Sequence, residues 1–279
     1  MAIISHRDLL SHVGVNEESE WLVEGLIRKA SLGICGALPK CGKTWLCLAM
    51  AQAVATGTPF LGRFRTHKTR TLFLELEDSP RMLAERSIAL IRGNSVPDPE
   101  PGFLNFLLEC VLIDTPTGMD RLRRALSETQ AKFLVVDTLN RAHALNENLQ
   151  AHATKLITAL DNLRRDFQCC VLATHHLSKT AKAGQGGKAL RGSSVIHAGL
   201  ENSLFITRNA NNNHISVEVE SKFTQVEPFS YLLESGEDSV RLTAGKKPRY
   251  VMPSVQEMMK MTRKERADDL KRWEEYHQK

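Results

Sequence analysis

Long apolar runs are absent from this sequence. No stretch approaches the roughly 18 residues that a membrane-spanning helix requires, so no span is expected. The first residues, "MAIISHRDLL", bring in charge too early for a secretion signal. None of the six cysteines forms a C-x-x-C pair, and no histidine cluster sits at zinc spacing, which argues against a structural metal. Adjacent Cys169 and Cys170 fall inside an apolar run and read as core packing, so reduced thiols and a cytoplasmic protein are expected. No internal repeat is visible.

The remainder is ordinary for a folded protein: 279 residues, 42% apolar and 25% charged. That length suits one α/β domain of about 240 residues with a tail, or two small domains. A net charge of +5 permits contact with nucleic acid without establishing it, since many enzymes are mildly basic.

Hydrophobic periodicity divides the chain. "SLGICGAL" is an apolar run of strand length. "WLCLAMAQAVATG" repeats apolar residues every three to four positions and closes on Gly57, so it reads as a helix. "RTLFLELED" is the next strand, followed by a helix from about Pro80 to Ile91. After a Pro/Gly-rich loop, "FLNFLLECVLID" holds one or two short strands. "GMDRLRRALSETQ" and "QAHATKLITALDNLRRDF" read as helices either side of the buried strand "KFLVVDT", and "CCVLATHH" is another buried strand. Such alternation predicts an α/β fold: a mostly parallel sheet with helices on both faces. Beyond "LSKTAKAGQGGKALRGSS" the period changes to two in "SLFITR", "HISVEVES" and "YLLES", which predicts antiparallel hairpins at one sheet edge.

The strongest local signal is "GALPKCGKTW". Gly42-Lys43-Thr44 closes the pattern G-x-x-x-x-G-K-[ST], with Ala37 at its first position and Gly36 one place too early. In such a loop, backbone N–H groups wrap a β-phosphate beside a helix N-terminus. The Lys reaches the β- and γ-phosphates, and the hydroxyl holds Mg2+. The closest backbone approach falls at Gly42, which is present, and Ala37 is small enough for the first turn. The residues expected around ATP are Ala37, Leu38, Pro39, Lys40, Cys41, Gly42, Lys43, Thr44 and Trp45, with Thr44 on the metal.

Open α/β sheets bind ligands beyond the carboxyl ends of their strands. Three strand ends carry suitable groups. Asp137 closes "FLVVD" and can hold Mg2+ through water, or merely cap a turn. Glu77 and Asp78 close "LFLELED"; one can polarise an attacking water as general base, the other can cap the helix at Pro80. His175 and His176 close "CVLATHH", where a polar side chain can sense a γ-phosphate or serve the strand end alone.

These positions resemble those of the RecA-like P-loop ATPases. In that group the catalytic Glu lies on the strand after the first helix; here Thr138, not Glu, follows Asp137. Within the group the chain is most similar to the AAA_25 branch, typified by the RepA kind of hexameric plasmid replicative helicase. The matching pieces are "WLVEGLI", "LPKCGKT", "LFLELEDSP", "LVVDTLNRAH", "VLATHHLSK" and "ALRGSSVIHAG", spanning residues 21 to about 222. The resemblance implies Lys43 and Thr44 on the phosphates and Mg2+, Glu77 as catalytic base, Asp137 near the metal, and His176 as sensor in preference to His175. It also implies a homo-oligomeric ring, a hexamer by preference, whose neighbouring subunit supplies a cationic finger. Arg191, Arg208 and Lys222 are the candidates. Lys222 falls where relatives carry K-x-R, with Thr224 in place of the Arg. Glu201 stands where some replicative members place an Arg. The implied layout is an arm over 1–20, an ATPase domain over 21–244 and a charged helical tail over 245–279.

Single-stranded DNA is the expected partner, met by loops facing the hole of the ring. These would be "LNRAHALNENLQAH" and "LSKTAKAGQGGKAL". The second combines Lys179, Lys182 and Lys188 with three glycines, which suits sequence-independent phosphate binding, although neither loop holds an aromatic residue for base stacking. Two functions remain open: a DNA-dependent ATP-hydrolysing motor, or an ATPase that switches or loads a protein partner through the tail. A small-molecule kinase is disfavoured, because no lid arginine cluster is apparent.

Overall fold

Strands with no polar interruption need cover on both faces, and the central strands of this chain have it. The computed structural model describes residues 5–6, 20–178, 186–190, 194–208 and 213–245. A two-stranded hairpin, β1 (Trp21–Val23) and β2 (Ile27–Arg28), comes first. There follow β3 (Leu32–Ala37), α1 (Lys43–Thr56), β4 (Thr71–Glu75), α2 (Pro80–Asn94), β5 (Leu104–Leu107), α3 (Pro116–Thr129), β6 (Phe133–Asp137), α4 (Gln150–Phe167) and β7 (Cys170–His176). The described chain ends with α5 (Ser194–Gly199), β8 (Asn202–Arg208), β9 (His214–Ser221), β10 (Phe229–Ser235) and β11 (Val240–Ala244).

The main sheet has nine strands in the order β11-β10-β9-β8-β3-β7-β6-β4-β5. From β8 to β5 the neighbours are parallel; β8 to β11 form an antiparallel meander at one edge. This is the α/β architecture that the alternation of elements predicts. Alternate residues feed two cores. Phe133 and Val135 of β6, with Cys35 and Ala37 of β3, join α1 and α2 on one face. Leu134 and Val136, with Leu32 and Ile34, join α3 and α4 on the other. Helix α1 is buried continuously from Leu46 to Ala55, so its sequence is apolar all round rather than striped. Side-chain caps start α2 and α3: Ser79 accepts from Met82 N and Thr115 from Gly118 N, each followed by Pro at the first helical position. Among the described residues no helix is long and apolar enough to cross a membrane, and all six cysteines are free thiols.

Several expected boundaries shift. Helix α2 continues to Asn94, where Ser95 adopts the left-handed cap. "FLNFLLECVLID" yields one strand, β5; Val111 and Ile113 are buried outside any strand. The hairpin β1–β2, the single-turn α5 and the edge strand β11 are additions. Nearly all of the arm over 1–20, and residues 246–279 of the tail, lie outside the described residues.

Strand β11 is seated on the end of α2. Asn94 Oδ1 accepts from Leu242 N at 2.9 Å, and a Cβ on Gly93 would sit 2.1 Å from Val240 O. We therefore expect Gly93→Ala to destabilise the protein by about 1–3 kcal/mol through overpacking. Urea denaturation with an unchanged midpoint would show that α2 does not seat β11 this way.

Candidate active site

Strand β3 brings the chain to the carboxyl edge of the sheet between β7 and β8. From there it crosses beyond β7 and β6 to reach β4, and it later fills the other side with β8. The reversal opens a crevice at the tip of β3. Residues 38–42 form the loop that leads into α1. Lys40 (φ 62) and Gly42 (φ 92) are left-handed, a geometry that turns successive N–H groups inward. Gly42 sits at the N-cap of α1 and supplies no side-chain cap, so the first amides of the helix are left for a ligand.

Lys43 opens α1 and is only 8% exposed. Its Nζ lies 3.4 Å from the carbonyls of Ala37 and Leu38, and 3.3 Å from His176 Nδ1. These are long contacts, two to carbonyls and one to an imidazole. Of the two strand-end histidines, His176 is thus the one that meets the loop lysine. His175 turns the other way: it is fully buried, and its Nε2 lies 3.2 Å from Glu147 Oε1. Glu147 also accepts from His143 Nε2 at 3.0 Å. Burial alone would raise the Glu147 pKa, but the bonds from His143 and His175 bring it down to about 2.

Asp137, at the end of β6, is buried. Oδ1 accepts from the Thr174 hydroxyl at 2.5 Å, while Oδ2 has no partner. Burial raises its pKa; the Thr174 and Thr44 hydroxyls and the Lys43 charge pull the other way. Thr44 therefore stands beside this carboxyl group, though no well-formed hydrogen bond satisfies Oδ2.

The other acid strand end differs from expectation. β4 stops at Glu75, which pairs in register with Asp137, so Glu77 lies in the bend beyond the strand and not on its tip. Glu75 is buried; its Oε1 accepts from Glu77 N (2.8 Å) and Asp78 N (2.9 Å), and its Oε2 is unpartnered. Burial and the neighbouring Asp137 charge raise its pKa to about 7. Glu77 is left half-exposed, 3.9 Å from Arg141 Nε, a separation that contributes little between solvated groups. Asp78 does not cap α2; Ser79 does, and Asp78 is paired with Arg86. The Arg86 guanidinium lies 5.5 Å from the Trp45 ring centroid.

Two buried carboxyl oxygens without partners, beside a Thr hydroxyl at the loop, fit a divalent cation. Among the described residues no group of three His, Cys, Asp or Glu could hold a metal alone. A cation held here would take its further ligands from water or phosphates.

Of the finger and DNA candidates, Lys222, Arg208 and the backbone of Lys188 fall among the described residues. Lys222 Nζ donates to Ala198 O at 3.0 Å in its own subunit. Arg208 ends β8 with its side chain exposed. Glu201, opposite in charge to the Arg of some replicative members, is built into its own subunit. Its Oε2 accepts from Leu32 N at 2.9 Å and lies 4.0 Å from Arg164 Nε. Arg191, Lys179 and Lys182 lie outside the described residues, as does the side chain of Lys188, whose backbone belongs to a 3-10 turn over Gly186–Ala189.

Sequence reasoning overlooked Glu75, His143, Glu147 and Thr174. A signal existed for Glu75, a carboxylate inside a strand otherwise buried on both faces.

Known proteins share this fold. The AAA_25 family, an AAA domain, matches residues 11–182. Among solved structures, an isolated ATPase domain superposes with a TM-score of 0.56 at 13% identity, over 73% of this chain and 82% of that one. A KaiC-like protein from the hyperthermophilic archaeon Pyrococcus horikoshii OT3 gives 0.54 at 15% identity, over 82% and 96%. A DnaB-like replicative helicase, solved for its interactions with primase, gives 0.59 at 13% identity, over 76% and 58%.

The Glu75 carboxyl sets a pH dependence. Unfolded, it titrates near 4.5; folded, near 7, so the folded state holds the extra proton in between. Its contribution to stability is full below the lower value and is lost as pH rises through the upper one. Without metal or nucleotide, Glu75→Gln should match wild type near pH 4 and exceed it by about 2–3 kcal/mol near pH 8. A difference independent of pH in urea titrations would contradict this account of the buried pair.

Proposed function

This chain belongs to the AAA_25 family and has the fold of a RecA-like P-loop ATPase, and on that basis we propose that it hydrolyses ATP as a ring-forming, DNA-dependent motor of the plasmid-helicase kind. One observation carries the reading. A buried lysine at a helix start touches carbonyls and the His176 imidazole and acts on the buried Asp137 carboxyl group, one oxygen of which has no hydrogen-bond partner. That arrangement is completed by a polyanion and a divalent cation together.

In this reading the loop amides and Lys43 bind the β- and γ-phosphates of ATP. Thr44 and Asp137 would hold Mg2+, directly or through water, and it would supply neutralisation of charge on the phosphates. Glu77, exposed in the bend after β4, takes the proton from water, the role that the resemblance to RecA-like ATPases gives it. The water oxygen bonds to the γ-phosphorus as the bond to the β-phosphate bridge oxygen breaks, releasing ADP and phosphate. His176, touching Lys43, senses whether the γ-phosphate is present. A neighbouring subunit supplies the finger; Arg208, exposed at the end of β8, is the described candidate least committed at home.

The DNA part draws support from the likeness to the DnaB-like replicative helicase. A partner-loading ATPase is favoured by a specific departure: Glu201 is built into its own subunit where some replicative members carry Arg.

Lys43→Ala should abolish turnover, and Glu77→Gln should bind ATP without hydrolysing it. Undiminished hydrolysis in Glu77→Gln would remove Glu77 as the base. Single-stranded DNA should raise the wild-type rate, alongside a solution mass of several subunits. Indifference to DNA, with a partner recovered through residues 245–279, would favour loading.

A further inference from the structure

The segment between Asp137 and α4 is wired at its root. Ala142 and His143 are buried, while Arg141, Ala144, Asn146, Asn148 and Leu149 form an exposed rim. His143 Nδ1 accepts from Leu145 N at 3.1 Å, so its Nε2 carries the proton donated to Glu147. The same oxygen, Glu147 Oε1, receives His175 Nε2. His175 Nδ1 lies 2.7 Å from His176 O. Both ring nitrogens of His175 therefore face oxygen atoms. The side chains of His143, Glu147 and His175 are 4%, 10% and 0% exposed, which strengthens these charge-assisted bonds.

One carboxylate oxygen thus pins the loop to the tip of β7. The next residue along that strand is His176, which touches Lys43. Displacing the exposed rim would pull Glu147, and Glu147 holds the ring whose other nitrogen grips the His176 carbonyl.

We propose that Glu147 is a positioning residue for ATP hydrolysis: through His175 it fixes His176 against Lys43, and it transmits a load on the 139–149 segment to the phosphate site. This rests on the ATPase reading above. Glu147 itself touches neither ATP nor metal. In that reading the load is single-stranded DNA.

The test uses the full chain with Glu147→Ala and Glu147→Gln, the latter keeping one oxygen that accepts from both histidines. Per folded molecule, Glu147→Ala should lower kcat about tenfold or more. The KM for ATP should move by less than about twofold, as expected when positioning and not binding is lost. Glu147→Gln should recover most of the rate. Stimulation by oligothymidylate should disappear in Glu147→Ala. Equal kcat in wild type and Glu147→Ala overturns the proposal while leaving the ATPase reading intact. Wild-type turnover with no response to oligothymidylate removes the DNA load, and the kcat comparison still judges the positioning role. Should Glu147→Ala fail to fold, histidine-labelled wild type decides by nitrogen NMR. A ring proton on His175 Nε2, the nitrogen facing Glu147, supports the clamp; an unprotonated Nε2 overturns it.

Discussion

Charge held out of water at the carboxyl edge of the sheet is the constraint on which the rest of this structure depends. Lys43, Glu75 and Asp137 are all buried there, and an isolated buried charge is costly unless paired. The pairing is incomplete: Lys43 leans on carbonyls, and one oxygen of each acid is left over. Only a stiff frame can keep such groups from swinging out to solvent. The two cores provide it by fixing β3, β4, β6 and β7 from both faces, so the strand tips cannot separate.

The two faces then divide the labour around the phosphate loop. On the side of α1 and α2, the Asp78–Arg86 pair and Trp45 form a polar and aromatic wall. On the side of α3 and α4, the loop after Asp137 is tied by histidines to β7. Strand β7 touches both the tied loop and the phosphate-loop lysine, because His175 and His176 are successive residues and point to opposite partners. This alternation is the ordinary pleat of a strand, used here to join a buried histidine–carboxylate contact to the loop lysine.

Much of this was legible in the sequence, and for a physical reason. "FLVVD" and "CVLATHH" are apolar until their last residues, and a polar group ending a buried strand must emerge at the ligand edge. The loop "LPKCGKT" announces itself because its chemistry needs a particular backbone path at Gly42. Glu75 was harder to see: its burial is tolerated only because two amides of the following bend bond to it, a geometry that spacing does not encode. The Glu147 clamp joins residues 28 apart in sequence that meet only when β7 lies beside β6. Strand β11 is five residues long and depends on Gly93 for its seat, so its own periodicity was too brief to stand out.

Helix α1 has no side turned to solvent between Leu46 and Ala55. A rod enclosed on every side cannot slide or roll without tearing neighbouring packing. The amides at its start are therefore a stationary cradle, and motion during a catalytic cycle is confined to side chains and to the segments that flank it. The same enclosure makes this stretch intolerant of change: random mutagenesis should find almost no permissive positions along it.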